Sequence, residues 1–277
     1  MQKIIYLKNN GFLKVTGKDA ATFLQGQLTC DVTKVTQKTS VLGACCDPSG
    51  RVQAFFRLFQ LADGYYLRLP KTLVPILLAH LSKYAIFSAV ALSNASDTLR
   101  MTGVMTEGAP PNYVNDGTQH CVKIADNRYE YYSPNLVDAS DDSSVWALDN
   151  MKAGIPEIHP ETAGKFLPHP LNLVTIGAID FEKGCYVGQE IIARMHYRGK
   201  LKQHLYLAMA EKTTSVSLNQ GLCDQQQPET VVGYVVDHVL AGSQQYLLVT
   251  LFDRAAKQPL IIKEQPNDCL KIVSSFG

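Results

Sequence analysis

The chain has 277 residues, 46% of them hydrophobic, which is ample for a buried core and favours a folded protein of about two domains over a disordered one. Its 26 basic and 25 acidic residues leave a formal charge of +1, which argues against an extended footprint built to neutralise many phosphates. The best apolar stretch, Leu73 to Leu81, is interrupted by Pro75 and His80 and is far shorter than the roughly twenty residues of a spanning helix. The first residues lack a small-residue cleavage site, so a cytoplasmic, membrane-free protein is expected.

In chain order, Ile4–Leu7 and Gly11–Val15 read as two short strands around an Asn9-Asn10-Gly11 turn, and a helix begins near Asp19. Val41–Cys46, Asp47-Pro-Ser-Gly50 and Arg51–Leu61 read as a hairpin with proline second in its turn. Asp63-Gly64 makes another turn before Tyr65–Leu69. Leu73, Leu77, Leu78 and Leu81 share a helical face, and Ala85–Leu92 then reads as a returning strand of alternating apolar residues. The run starting at Glu107-Gly-Ala-Pro-Pro-Asn is a loop, strands follow around Cys121–Ile124 and Tyr129–Tyr132, and Ser140–Ser144 is a polar junction.

Val145–Ala153 is expected to be helical, stopped by Gly154 and Pro156. From Lys200 the pattern changes to short alternating runs, including Leu205, Leu207, Val235, Leu247 and Leu251, which predict a small antiparallel barrel or sandwich beyond a boundary near Gly199. The 7 cysteines are scattered without a Cys-x-x-Cys pair, which suits reduced thiols and offers no metal ligand set. Cys45 and Cys46 sit in an apolar run and read as small buried side chains.

The strongest local signal is Phe181-Glu-Lys-Gly-Cys-Tyr-Val-Gly-Gln-Glu-Ile-Ile-Ala-Arg194, in which Gly184 and Gly188 permit a tight path around Cys185 before the chain turns helical. Glu190 and Arg194 lie one helical turn apart and can pair. Cys185 at or just before a helix N-terminus, with Lys183 close by, would sit where a thiolate is favoured. The same spacing fits an ordinary loop-to-helix junction with a buried cysteine. His169, His196 and His204 are candidate partners for a nucleophilic thiol. Arg194, Arg198, Lys200 and Lys202 cluster after the signature, as a solvated helix end does, although a polyglutamate tail or a phosphate would use the same charges.

Lys183-Gly-Cys-Tyr-Val-Gly-Gln-Glu190 resembles the signature of the YgfZ family, relatives of the aminomethyltransferase, or T-protein, of the glycine cleavage system. Phe23-Leu-Gln-Gly-Gln-Leu-Thr-Cys-Asp31, Asp47-Pro-Ser-Gly-Arg51, Lys83-Tyr-Ala-Ile-Phe87 and Gly154-Ile-Pro resemble the same family in the same order, so the likeness covers residues 4 to 210. It implies an α+β, T-protein-like folate-binding fold with a ferredoxin-like portion and a C-terminal antiparallel β-barrel. The expected division is 1–42 with 140–198 as the folate-pocket domain, 43–139 as the ferredoxin-like domain and 199–277 as the barrel.

The resemblance further implies tetrahydrofolate or a folate derivative as cofactor, iron–sulfur enzymes or carriers as partners, and tRNA as an indirect beneficiary through tRNA modification. Trp146 matches a family tryptophan of the folate site, where an indole stacks on a pterin. Lys183, Gln189 and Glu190 carry over as cofactor-binding residues with Arg194, and Cys185 as the key thiol. Asn10 stands where a second family tryptophan would be, with Phe12 available to supply stacking. The T-protein carries a Gly-x-x-Asp-Asp run where this chain reads Gly50-Arg-Val-Gln-Ala54, so the acid expected to serve aminomethyl transfer is missing. The leading function is an accessory to iron–sulfur enzymes, with an enzymatic version implying a folate-dependent one-carbon transferase-like activity. The alternatives are the aminomethyltransferase itself and a non-enzymatic docking module for iron–sulfur carriers.

Overall fold

The computed structural model describes residues 2–107, 117–135, 138–140, 142–211, 214–263 and 265–276. The strands and helices in chain order are β1 (Gln2–Tyr6), β2 (Asn10–Thr16), α1 (Ala20–Gln27), β3 (Val41–Cys46), β4 (Val52–Leu61), β5 (Gly64–Pro70), α2 (Val74–Ser82), β6 (Ala91–Asn94) and β7 (Arg100–Thr106). They continue with β8 (His120–Ala125), β9 (Arg128–Ser133), α3 (Ser144–Lys152), α4 (Gln189–Arg198), β10 (Gln203–Glu211), β11 (Gly221–Asp224), β12 (Gln227–Ala241), β13 (Gln244–Phe252), β14 (Leu260–Ile262) and β15 (Gln265–Phe276). The chain forms two compact units, one of Met1–Cys46, Gln53–Ser143 and Ala178–Val187, the other of Asp47–Val52, Ser144–Gly177 and Gly188–Gly277.

The first unit holds two sheets, ordered β3-β4-β5-β2-β6 and β1-β7-β9-β8. The Asp47–Gly50 turn joins neighbouring strands as its proline and glycine predict, with Gly50 at φ +77°. Aromatic side chains fill the core: Phe59 stacks on Tyr132 at 4.3 Å between ring centroids, and Phe12 meets both edge-on. Phe12 is fully buried in this cluster, so it is a core residue rather than a substitute stacking platform. Cys45 and Cys46 are buried, as their apolar run implies.

Within that apolar surrounding lies a charged group. Arg57 of β4 and Arg68 of β5 are directly opposite across the ladder, and both bond the Glu130 carboxylate of β9, at 2.9 and 3.0 Å. The Tyr132 hydroxyl donates to the same carboxylate. Glu130 therefore ties one sheet to the other. The two guanidinium groups hold its carboxyl below the usual range, to about 2, against the opposing effect of burial.

Two local expectations change. β1 and β2 are both strands, but they do not pair with each other: β1 pairs with β7, while β2 pairs with β5 and β6. The run Ala85–Leu92 is not one strand. Residues Ala85–Phe87 form a short 3-10 turn closed by Ser88 N donating to Ala85 O, and the strand starts only at Ala91. Ile86 and Phe87 are 75% and 98% exposed, so the apolar alternation there is not backed by burial. The loop expected after Glu107 lies, at 108–116, outside the described residues.

In the second unit, six strands close a barrel in the order β10-β13-β12-β11-β14-β15, with β15 returning to β10. Alternate residues point inward and give a core of Leu222, Val235, Leu247, Val249, Leu251 and Leu260 among others, all without exposure. Gly233 is required by close approach: a Cβ there would lie 2.0 Å from Thr250 O. α3 packs on β12 and β13 and ends at Lys152, two residues before Gly154, whose φ of +66° turns the chain away as expected. Among the described residues no helix is long and apolar enough to cross a membrane.

Candidate functional site

Two of the sequence runs that stood out, Phe23–Asp31 and Lys183–Glu190, meet in the first unit. α1 ends at Gln27 and leaves its last carbonyl groups without helical partners. The signature loop supplies those partners. Lys183 Nζ donates to Gln25 O and Leu28 O at 2.5 and 2.6 Å, and Val187 N donates to Gly26 O at 3.2 Å. A buried ammonium at a helix C-terminus is favoured by the macrodipole, and the Tyr186 ring covers the same Nζ at 4.8 Å. Burial still pushes the Lys183 ammonium below its ordinary range. Its hydrogen-bonding capacity is thus largely directed into the α1 terminus.

The other side of the loop is fixed by Asp180, whose carboxylate accepts from Lys34 Nζ at 2.5 Å and from the backbone N–H groups of Glu182 and Lys183. Thr29 adds a further tie, donating from Oγ1 to Ala178 O at 2.7 Å and accepting from Ala44 N at 2.8 Å. Cys30, buried in this layer, has its thiol pushed up to about 12 by burial, opposed by the nearby Lys183 charge. It is a protonated packing residue.

Cys185 differs from Cys30 in being exposed. The position before it is open, since a Cβ added to Gly184 would meet nothing within 4 Å. α4 begins at Gln189 with Gly188 as its cap, so Cys185 lies before the cap and outside the first helical turn, where the dipole acts. The two glycines of the signature therefore have different roles. Gly188 has φ +83°, and a Cβ on it would lie 2.5 Å from Asp47 O; Gly184 carries no such constraint.

Gln27 Oε1, at the end of α1, and the Tyr186 hydroxyl, which burial pushes above its ordinary range, are buried with no hydrogen-bond partner among the described residues. Orphaned groups of this kind are costly unless something bonds them. Gln27 carries no signal in the sequence, because only its position at the end of α1 distinguishes it from other amides.

The remaining signature residues belong to the second unit. Gly188 and Ile191–Ile192 pack against the Asp47–Gly50 turn, so a third sequence run joins this end of the signature. The turn is self-braced, with Asp47 Oδ1 accepting from Ser49 N, Ser49 Oγ and Arg51 N. Glu190 and Arg194 form the expected pair at 2.6 Å, both largely exposed, and Gln189 is half-buried. Trp146, on α3, is 3% exposed. Asn10, in the first unit, accepts from Arg68 Nη1 at 3.4 Å and so belongs to the surroundings of the Glu130 group.

The candidate histidines are also in the second unit, whereas Cys185 groups with the first. His204 Nδ1 lies 2.6 Å from Asp253 Oδ1. His169 has both ring nitrogens buried without partners, and burial together with neighbouring His196, whose ring centroid is 6.1 Å away, pushes it down to about 4. Among the described residues no group of histidine, cysteine and carboxylate side chains is arranged to hold a metal ion.

No protein-family model matches the chain. It is 34% identical over 232 residues to the tRNA-modifying protein YgfZ of Photobacterium profundum, covering 76% of this chain and 70% of that protein. It is 33% identical over 258 residues to the protein of the same name from Vibrio vulnificus, covering 83% and 79%. Among solved structures it is similar to the glycine cleavage system aminomethyltransferase T of Bartonella henselae, with a TM-score of 0.68 and 11% identity over 99% of this chain and 85% of that one. That likeness bears out the expected α+β, T-protein-like fold with its closed C-terminal barrel.

Proposed function

The chain belongs to the YgfZ family, and on that premise we propose that it is a tetrahydrofolate-binding accessory protein that supports iron–sulfur enzymes and thereby tRNA modification, with Cys185 as its working thiol. The observation that carries the proposal is a contrast within one loop. Cys185 is exposed beside the open space at Gly184, while Gln27 Oε1 and the Tyr186 hydroxyl are buried without partners at the junction that the loop makes with α1. A pterin edge bears amide and amino groups able to satisfy an amide oxygen and a phenol, so the orphaned pair fits a folate.

Lys183 holds the loop on α1 and orients Tyr186 through its cation–π contact, while Asp180 fixes the loop's other side. A reduced folate, when bound, supplies a one-carbon unit or reducing equivalents. Trp146, Gln189, Glu190 and Arg194 are proposed as further binding residues, with Asn10 acting through Arg68. Aminomethyl transfer is the weaker reading, because Ala54 is fully buried and neither it nor Gln53 offers a carboxylate.

Titration with tetrahydrofolate under reducing conditions, followed by Trp146 fluorescence and by calorimetry, tests the cofactor. Saturable binding that weakens at least about fivefold in Tyr186→Phe supports the proposal, the loss of one buried hydrogen bond being worth about 1 kcal/mol. Absence of binding by both methods overturns it in favour of a partner-docking role. In cells, Cys185→Ser is expected to lower thiolated tRNA, and unchanged levels would sink the thiol's role.

A further inference from the structure

The run Lys83-Tyr-Ala-Ile-Phe87 carries two large apolar side chains into solvent, Ile86 at 75% and Phe87 at 98% exposure. Neither belongs to the core, and Phe87 makes no ring contact among the described residues. The turn that presents them is nevertheless held in place. Ala89 N donates to Asp19 Oδ2 at 2.8 Å, and Gly17, at φ +111°, comes so close that a Cβ on it would lie 2.2 Å from Ala89 O. Asp19 occupies the cap position of α1, yet its carboxylate makes no bond to that helix. A cap bond would stabilise α1; the acid is committed instead to fixing the turn that exposes Phe87.

β6 follows directly from this turn. It is the edge of its sheet, paired only with β2, and none of its 4 residues is buried. Ala95 N donates to Phe12 O, so by the alternation of an antiparallel ladder Leu92 and Asn94 turn their N–H and C=O groups away from β2. Ala91–Asn94 contains neither the charge nor the proline that usually protects an edge. Two exposed lysines stand at its Phe87 end, Lys83 at the close of α2 and Lys18 between Gly17 and Asp19, and neither makes an ion pair among the described residues. The α2 dipole accounts for Lys83, but Lys18 stands at the positive end of α1, where a cation is disfavoured. Of the acids nearby, Asp19 is engaged by Ala89 N, and Asp97, paired with Lys71, follows the far end of β6.

We propose that β6 accepts an added strand from a partner protein, an extended acidic segment that places an apolar side chain on Ile86 and Phe87 and carboxylates on Lys18 and Lys83. Main-chain bonds to the free edge supply affinity in this mode, and the side-chain contacts supply specificity. A bilayer would use the apolar pair and the lysines but not the strand edge. A second copy pairing through its own β6 would offer Ala91–Asn94, which has no carboxylate. The proposal adds a partner surface to the accessory reading and depends on neither folate nor Cys185. The test selects short peptides from a displayed random library on the full chain and measures the synthesised consensus by fluorescence anisotropy. The recovered peptides should combine aliphatic or aromatic residues with Asp and Glu. Phe87→Ser should weaken binding at least about tenfold, as loss of an interface anchor does, and Lys18→Glu at least about threefold with a flatter salt dependence. N-methylation along the peptide should abolish binding at every second residue, since an added strand bonds the edge through alternate N–H groups. Equal unfolding midpoints would confirm that the variants fold. Failure to enrich any peptide overturns the proposal, as does binding indifferent to Phe87→Ser or to the position of N-methylation. Dimerisation of the free chain that Phe87→Ser abolishes would assign the edge to a second copy instead, and Phe87-dependent binding to phosphatidylglycerol vesicles without peptide binding would assign it to a membrane.

Discussion

The core of the barrel and the core of the first unit solve the same problem with opposite materials. Inside the barrel, Val235, Leu247, Val249, Leu251 and Leu260 form a fully buried, wholly apolar filling. In the first unit, two arginines and a glutamate are buried beside Phe12, Phe59 and Tyr132, whose hydroxyl donates to the carboxylate. An apolar core tolerates small volume changes and is indifferent to pH, whereas a buried ion group fixes geometry at the risk of large penalties when one member is lost. The difference lies in what each core must specify. Closure of the ladder registers the barrel, while the two sheets of the first unit share the Glu130 contact between β9 and the β4–β5 pair.

Removing the carboxylate is the sharpest way to break the contrast. Glu130→Ala leaves Arg57 and Arg68 opposed and buried, and should cost about 3–5 kcal/mol in urea unfolding. The folded carboxyl lies below its ordinary 4.5, at about 2, so its contribution is complete above about pH 4.5 and declines as pH falls toward 2. The stability difference between wild type and variant should therefore narrow across that window. Leu251→Ala in the barrel should cost about 2–5 kcal/mol, with no such narrowing. A pH-dependent loss at Leu251, or a flat one at Glu130, would show that the two cores are not distinct in kind.

A smaller effect sharpens the comparison at the signature. Gly188→Ala forces a left-handed backbone conformation and a contact with Asp47 O, and should cost about 1–3 kcal/mol, whereas Gly184→Ala should change stability by less than about 0.5 kcal/mol. Thermal unfolding separates them. If Gly184→Ala leaves stability unchanged and impairs the activity of the Cys185 loop, the open glycine serves access to the thiol. Equal destabilisation would make both glycines scaffold.

Much of the fold was legible where local chemistry decides it. The turn at Asp47–Gly50, the stop at Gly154 and the alternation within β10–β13 follow from residues adjacent in sequence. Ala85–Leu92 was misread because alternation signals a strand only when one side is buried, and Ile86 and Phe87 both face solvent. Lys183 is expected beside Cys185 because the two are neighbours in the sequence, and the two groups do interact electrostatically; its hydrogen-bond partners at the end of α1, 158 and 155 positions away, leave no local mark. The Glu130 group did have a signal, a lone acid between tyrosines in β9 and single arginines within apolar strands, but the pairing itself belongs to the tertiary structure. Net charge was the least informative guide, since it averaged away the cations around α4.

The capping of α1 by the signature loop also governs the order in which the molecule is made. The carbonyls of Gln25, Gly26 and Leu28 emerge early in synthesis, but the groups that bond them arrive only with Lys183 and Val187. Thr29 likewise waits 149 positions for Ala178. Contacts so distant close slowly, because the loop entropy must be met before they form. The first unit cannot be completed on the ribosome until residue 187 has left the exit tunnel, and until then α1 must persist with an unfinished end. A chain arrested before that point should expose α1 to chaperones and proteases, while one released just beyond it should be protected there.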